Sequence, residues 1–510
     1  MKLIDHVHAH PDKPAVITDS GDSLTYKELE DQSIAVARLF KELGLQKGDC
    51  IGLLLCNSPL YFVVAWAAQR SGLYYTPINW HLSEDEICYI VEDCEAKVLF
   101  ADARLGASLD GLLKNTPSLQ AYFSAHGEHP GFTSLEAALT DYPVTPLDEE
   151  PAGMVMFYSS GTTGRPKGIK RPLPETDYSE NSGLEPLMEN LWGFTDQSIY
   201  LSPAPLYHAA PLGWCMSTQR IGGTAVIMDR FDAERFLALV DRYAVTHTQC
   251  VPTMFVRMLE LPDAIRAQFQ LSSLQFCIHA AAPCPISVKE QMIAWWGPLI
   301  FEFYAGSEGF GLCAITTEEW LQHKGSVGKP LWGRISIIGD DDQPVATGEV
   351  GKIYFAAETI HFTYHNAPEK RDECILGDSL ATYGDMGYVD SDGYLYLVDR
   401  RTDLILSGGV NIYPSEVEAV LREHSAVSDV AVVGAPDPVM GEVVAAVIEL
   451  RPTHAQSEAL KEYLLQFCAQ RIAKFKTPRM IDFERLPRTE TGKLLRRVLK
   501  ARYKALATGD

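Results

Sequence analysis

The chain has 510 residues, too many for one ordinary core, and its 46% apolar and 22% charged content is that of a soluble globular protein of two or more domains. Its 44 basic and 67 acidic residues give a formal net charge of -23, which argues against nucleic acid as a partner and against a polybasic anchor on anionic lipid, so an anionic ligand must be held by local donors. The 11 cysteines are odd in number, scattered and free of any Cys-x-x-Cys pair, which points to reduced thiols in the cytoplasm rather than a disulfide framework.

From the amino end, Met1 to His6 hold too short an apolar run for a signal peptide. No later segment approaches membrane-spanning length, so no membrane span is expected. His6, His8 and His10 alternate as metal ligands on a strand would, but no carboxylate–histidine cluster downstream supports them. A solvated helix end stopped by Pro11 is the expectation there.

Thr25 with Glu28 three residues on makes a capping box, and Leu29, Ile34, Val36, Ala37 and Leu39 continue the helix behind it. Residues 50–55 suit a buried strand, 61–68 a buried helix and 75–78 another short strand. The alternation returns as strand 224–228, helix 233–243, strand 246–251, helix 254–261 and strand 276–280. Such alternation implies layered, mostly parallel sheets with helices on both faces, an α/β fold. Residues 170–189, rich in Pro, Glu, Ser and Asp, interrupt it and are expected to form a surface loop.

From about residue 333 the pattern changes to short strands at 335–339, 351–355 and 393–398, separated by turns, as in a small antiparallel sheet or β-barrel-like part. A charged junction follows at 399–403. Beyond it helix 414–422, strands 427–434 and 443–450, and helix 457–472 make a unit the size of a small α+β domain. A boundary near residue 400 gives domains 1–400 and 401–510.

One stretch carries more chemistry than the rest. After the apolar run 154–157 comes Tyr158-Ser159-Ser160-Gly161-Thr162-Thr163-Gly164-Arg165-Pro166-Lys167-Gly168. Glycines at 161, 164 and 168 allow tight turns and close approach of backbone to a ligand. Backbone N–H groups, hydroxyls and an ammonium on one loop are what a polyphosphate needs. It is not a Walker loop: Pro166 precedes Lys167 and Gly168 follows it, where that motif needs glycine and then Ser or Thr.

This loop resembles the phosphate-binding loop of the adenylate-forming superfamily, which holds acyl-CoA synthetases, peptide-synthetase adenylation domains and firefly luciferase. Four further stretches, in the family's order, extend the resemblance over most of the chain. Tyr304-Ala305-Gly306-Ser307-Glu308 resembles the segment whose tyrosine stacks on adenine and whose glutamate helps hold Mg2+; Thr162 joins Glu308 as a metal candidate. Tyr383-Gly384-Asp385 resembles a Thr-Gly-Asp stretch whose aspartate accepts from both ribose hydroxyls, and Arg400 is expected to reach the ribose too. Ser407-Gly408-Gly409 with the helix from Pro414 resembles the loop and first helix of a mobile C-terminal domain. Pro487 to Lys493 resembles the last motif, whose lysine, here Lys493, is catalytic. On the adenine side Ala280-Ala281-Ala282-Pro283 stands where many members have Gly-Gly-Ala-Pro, and Thr402 stands where the hinge commonly has Asp or Lys.

For the acid, Tyr207-His208 resembles the family's aromatic-His pair beside the substrate carboxylate, and His208 counts as a catalytic candidate. The neighbouring aspartate with which peptide-synthetase members pair an amino group is absent, which argues against an α-amino acid. Trp214, Met216, Phe303 and Phe310 suit either an acyl tail or plain core. Gly306, Gly309 and Gly311 are expected to leave room for a long or bulky chain. The resemblance implies an ATP- and Mg2+-dependent ligase that makes an acyl-adenylate from a hydrophobic acid and passes the acyl group to coenzyme A. The alternative is a stand-alone adenylation enzyme that loads a carrier protein. The oligomeric state stays open, a homodimer included.

Overall fold

The computed structural model describes residues 2–140, 142–145, 147–159, 166–180, 184–356, 360–377, 379–400, 403–407, 410–438, 440–489 and 494–508. For residues 159, 399, 400, 411, 507 and 508 it describes the backbone alone.

The chain is α/β, with a large N-terminal and a small C-terminal domain. The largest sheet has nine strands. Its middle is parallel, in the spatial order Ile300–Ala305, Phe276–His279, His247–Cys250, Ile199–Ser202, Thr224–Ile227 and Pro14–Thr18. Antiparallel strands Leu312–Ile315 and Lys329–Trp332 extend one edge and Ser23–Thr25 the other. A second, all-parallel sheet orders Thr133–Ser134, Ala121–Ala125, Ala96–Asp102, Cys50–Leu54, Tyr74–Pro77 and Met154–Val155. Strands such as Cys50–Leu54 and Thr224–Ile227 are buried along their whole length, as parallel strands covered on both faces must be.

Two helices lie between these layers. Pro59–Gln69 is apolar all round, and residues 61–68 are fully buried. It packs on Tyr26–Glu42, which starts at the capping box of Thr25 and Glu28. Their side chains share one core with Ile51 and Leu53 of the second sheet and Tyr200 and Ala225 of the first. Helix Leu3–Ala9 ends before Pro11 as expected, but it is not solvated throughout: His6 Nε2 lies 2.8 Å from the Arg220 carbonyl, and its ring packs on Tyr26 at 5.2 Å.

The expected surface loop at 170–189 is corrected in part. Tyr178 is buried there, and Glu185–Trp192 is a helix. Composition cannot show the cause, which is a charged network made by distant residues. The buried Arg70 donates to Glu30 Oε2 at 2.5 Å and to the Tyr178 hydroxyl at 2.6 Å, and its Nε lies 3.4 Å from Glu150 Oε1. Burying a guanidinium is tolerable only with partners of this kind. The network fastens residues 150 and 178, on either side of the loop that resembles a phosphate site.

The strands flanking that loop belong to a small antiparallel sheet in which Lys167–Lys170 pairs with Phe157–Ser159 on one side and Thr363–Tyr364 on the other. Beyond it, six antiparallel strands form the expected small sheet, ending in the pair Asp385–Val389 and Leu395–Arg400. A separate five-stranded sheet begins at Ile405–Ser407 and is built on the hairpin Val427–Asp437 and Gly441–Leu450. Period-two alternation splits that hairpin between two cores. Val430, Val432, Val444 and Ala446 face Val417, Leu421 and Leu464, while Ala431, Val433, Val443 and Ala445 face Leu499 and Tyr503.

Candidate active site

The hairpin Phe157–Ser159 and Lys167–Lys170 delivers the first group of side chains. Residues 160–165 lie outside the described residues, so the expectations on Ser160, Gly161, Thr162, Thr163 and Gly164 find no geometry here, nor does the side chain of Ser159. Lys167 opens the return strand, and its ammonium lies over the Tyr364 ring, 5.1 Å from the centroid. Gly168 is required by packing: a Cβ there would lie 2.9 Å from the Tyr158 ring, whose hydroxyl donates to Asp93 Oδ2 at 2.6 Å. Tyr364 sits opposite Ile169 on the neighbouring strand, and its hydroxyl donates to Glu308 Oε1 at 2.9 Å. Two sequence-distant candidates, Lys167 and Glu308, thus meet on one tyrosine.

Glu308 stands in the turn after strand Ile300–Ala305. Gly309 takes φ +74°, and its N–H donates to the Gly306 carbonyl at 3.1 Å. The glycines do not open space, which corrects the expectation. A Cβ on Gly306 would run into the Tyr383 ring, one on Gly309 into the Arg171 guanidinium and one on Gly311 into the Phe355 ring. Their small size lets large side chains close over the turn. Tyr383 is pinned there: it stacks on Phe310 at 4.0 Å, donates to the Gly311 carbonyl at 2.9 Å and accepts from the Gly311 N–H at 3.2 Å. Arg171 donates to the Ser307 carbonyl at 2.7 Å, and Ala305 and Ser307 are exposed.

Tyr304 donates to Asp385 Oδ2 at 2.6 Å, and burial pushes the Tyr304 phenol well above its ordinary value, so it remains a donor. Asp385 is nearly buried and lies opposite Arg400 in the strand register. The Tyr304 ring on the nine-stranded sheet therefore meets the Asp385 carboxylate and, opposite it, the Arg400 backbone on the six-stranded sheet, although 304, 385 and 400 are far apart in sequence. Glu308 is half-buried with one carboxylate oxygen taken by Tyr364. A hard cation accepts such an oxygen, and one carboxylate fits a site whose shell the phosphates of a bound nucleotide would complete.

Residues 281–283 follow strand Phe276–His279 and are exposed. Ala281 has φ +73°, a left-handed conformation that favours glycine. Beneath them lies a buried cluster absent from the sequence reading. Lys289 Nζ and His279 Nε2 lie 2.7 and 3.3 Å from Glu302 Oε2. Burial alone would raise the Glu302 carboxyl; His279 and Lys289 overcome it and hold the group at about 2. Burial also pushes the His279 ring below its ordinary value. Glu302 is two residues before Tyr304, and the cluster joins the strand that carries Tyr304 to the one that leads to Ala281.

The acid-side candidates do not form one group. His208 stands at the N-cap position of helix Ala209–Ile221 without a side-chain capping bond, and its ring packs on Tyr207 at 4.6 Å. Trp214 is buried, stacked with Tyr200 at 6.1 Å and Phe303 at 6.2 Å, and Met216 is buried in the same core. Phe310 lies in a different core, with Phe355 and Phe362. Gly408, Gly409 and Lys493 lie outside the described residues, and so does the side chain of Arg400. Tyr364, Arg171, Lys289 and Glu302 were missed, because nothing in their local sequence marks them.

Among the described residues no helix is long and apolar enough to cross a membrane. The chain matches the family described as AMP-binding enzyme over residues 3–365, and the AMP-binding enzyme C-terminal domain over residues 416–493. It is 32% identical to a 2-succinylbenzoate–CoA ligase of Bacillus licheniformis, over 96% of this chain and 97% of that protein. It is 29% identical to the long-chain-fatty-acid–CoA ligase FadD13 of Mycobacterium tuberculosis, over 94% and 93%. It is 30% identical to ScoC of Streptomyces coeruleorubidus, a fatty acid–acyl-carrier-protein ligase, over 98% and 95%. The crystal structure of the anthranilate CoA ligase AuaEII with anthranoyl-AMP superposes with a TM-score of 0.85 at 27% identity, covering 100% of both chains.

Proposed function

The chain belongs to the AMP-binding enzyme family, and we propose from that premise that it is a cytoplasmic acid–thiol ligase. It activates a hydrophobic carboxylic acid, medium- or long-chain or bulky and cyclic, as an acyl-adenylate and transfers the acyl group to coenzyme A. The observation that carries this best is the contact of Asp385 at 2.6 Å with Tyr304, which stands on the strand that leads into the turn of Glu308. It supports a nucleotide pocket with an aromatic face for the base, a carboxylate for the ribose and a carboxylate near the phosphates.

In the first half-reaction an oxygen of the acid attacks the α-phosphorus of ATP, and the bond from that phosphorus to the pyrophosphate oxygen breaks. Positioning and charge stabilisation do most of the work. Residues 159–164 and Lys167 grip the β- and γ-phosphates; Tyr304, with residues 305–307 and Ala281, Ala282 and Pro283, frames the adenine; Asp385 and Arg400 hold the ribose. Mg2+, held by Glu308 and Thr162, would offset negative charge on the phosphate oxygens when bound. Tyr207 and His208 orient the acid, and Lys493 donates to the reacting phosphate.

In the second half-reaction the thiol sulfur attacks the acyl carbon and AMP leaves. Residues 401–510 form a unit that turns about the junction near residue 400, so that Lys493 withdraws and Gly408-Gly409 lines the thiol path.

Pyrophosphate release over a panel of acids, with and without coenzyme A, tests this. Thioester formation with a long-chain or cyclic acid is the expected result. Acid-dependent exchange with no turnover of free coenzyme A, but transfer to a phosphopantetheinylated protein, would favour carrier loading, which the similarity to ScoC keeps as the second reading. ATP binding with no acid-dependent exchange would overturn both.

A further inference from the structure

We infer that Tyr364 is a positioning residue: it sets the carboxylate of Glu308 for the metal and the ammonium of Lys167 for the phosphates through one side chain. The inference deepens the reading above and rests on the roles given there to Glu308 and Lys167. Its basis is two contacts of different chemistry on the same ring. The hydroxyl donates to Glu308 Oε1 at 2.9 Å, and the π-face carries the Lys167 ammonium at 5.1 Å from the centroid. A hydroxyl–carboxylate hydrogen bond fixes which oxygen is left for a cation. A cation over an aromatic face is held without neutralisation, so it keeps its charge for an anion.

The ring itself has little freedom. Tyr364 is 7% exposed, and it packs edge-on against Phe362 at 5.4 Å. Its backbone pairs with Ile169, two residues beyond Lys167. Cys374 Sγ, 3.8 Å from the hydroxyl, is a weak second partner and does not compete with a carboxylate at 2.9 Å. Strand Thr363–Tyr364 thus appears in the small sheet as the third strand, and its tyrosine links a lysine and a glutamate separated by 141 positions in the chain.

Two substitutions separate the two contacts. Tyr364→Phe removes the hydroxyl and keeps the ring; Tyr364→Leu removes both. ATP binding is followed by calorimetry on the full chain, first without divalent metal and then across a Mg2+ titration. Unfolding temperature is measured alongside, and since both variants lack the hydroxyl, either one that keeps its fold serves for the metal arm. Tyr364→Phe is expected to raise the Mg2+ concentration for half-maximal ATP binding by about 10-fold, the usual cost of losing a group that orients a ligating carboxylate. It leaves metal-free binding unchanged. Tyr364→Leu also weakens metal-free binding, by roughly 3- to 30-fold for a lost cation–π contact. Glu308→Gln is the control. If it raises the Mg2+ requirement while Tyr364→Phe does not, the role given to Tyr364 is wrong and the nucleotide site stands. If Glu308→Gln has no effect either, the metal role of Glu308 falls and this inference falls with it. If the wild-type chain binds no ATP, the proposed function is what fails.

Discussion

Ala281 shows how one residue can depart from a family pattern at a measurable cost. Its φ of +73° is where glycine is ordinarily found, and a β-carbon there is strained by about 1 kcal/mol. Ala281→Gly is therefore expected to leave stability unchanged or raise it by up to about 1 kcal/mol, the relief of strain being partly offset by the freer unfolded chain; urea unfolding measures this. A loss of stability would mean that the alanine methyl packs. Glu302 presents the opposite case. It is paired in the interior with Lys289 at 2.7 Å, and Glu302→Gln strands a buried ammonium, an expected loss of about 3–5 kcal/mol. Replacing both by apolar residues, Glu302→Leu with Lys289→Met, should restore much of it. The pH dependence follows from the sign of the shift. The folded-state carboxyl titrates at about 2, below its ordinary 4.5, so its contribution is present above pH 4.5 and is lost as pH falls from there toward 2. Unfolding temperature should drop more steeply through that window in the wild type than in Glu302→Gln, and parallel curves would refute the assignment.

Elements were legible wherever a local rule decides them. The capping box of Thr25 and Glu28 starts helix Tyr26–Glu42 where the sequence places it, with the Glu28 carboxylate accepting from the Thr25 N–H at 2.8 Å. Thr25→Ala should cost about 1 kcal/mol, read from the unfolding midpoint. The alternation of buried strand and helix gave the parallel sheets, because a strand covered on both faces must be apolar throughout. Local rules failed where a partner lies far off in sequence. Residues 170–189 looked like a loop until Arg70 and Trp66 gathered around Tyr178. Gly306, Gly309 and Gly311 looked like open space, and they are the seats of Tyr383, Arg171 and Phe355. Gly306→Ala must displace Tyr383, and it is expected to cost about 1–3 kcal/mol as an overpacked site. A variant as stable as the wild type would show that Tyr383 moves freely.

For the whole molecule, the testable consequence is a division of labour between the domains. Lys493→Ala should lose adenylation by about 3 kcal/mol in activation free energy, as for one preorganised donor, and still convert supplied acyl-adenylate to thioester. Equal loss in both half-reactions would contradict the turning of residues 401–510. The sequence by itself determined the α/β class, the order of the chemical stretches and the family, because glycines, prolines, caps and apolar periods act over a few neighbours and survive being read one window at a time. The boundary near residue 400 is an expectation from a change of text at that point. Only the tertiary structure decided which of those stretches meet. Tyr304 joined to Asp385, Lys167 and Glu308 meeting on Tyr364, and the charge buried at Lys289 and Glu302 are contacts between residues that no local period relates. Hydrogen bonds and ion pairs act over a few ångströms of space, and only the packing of sheets and helices on one another brings such residues within that reach.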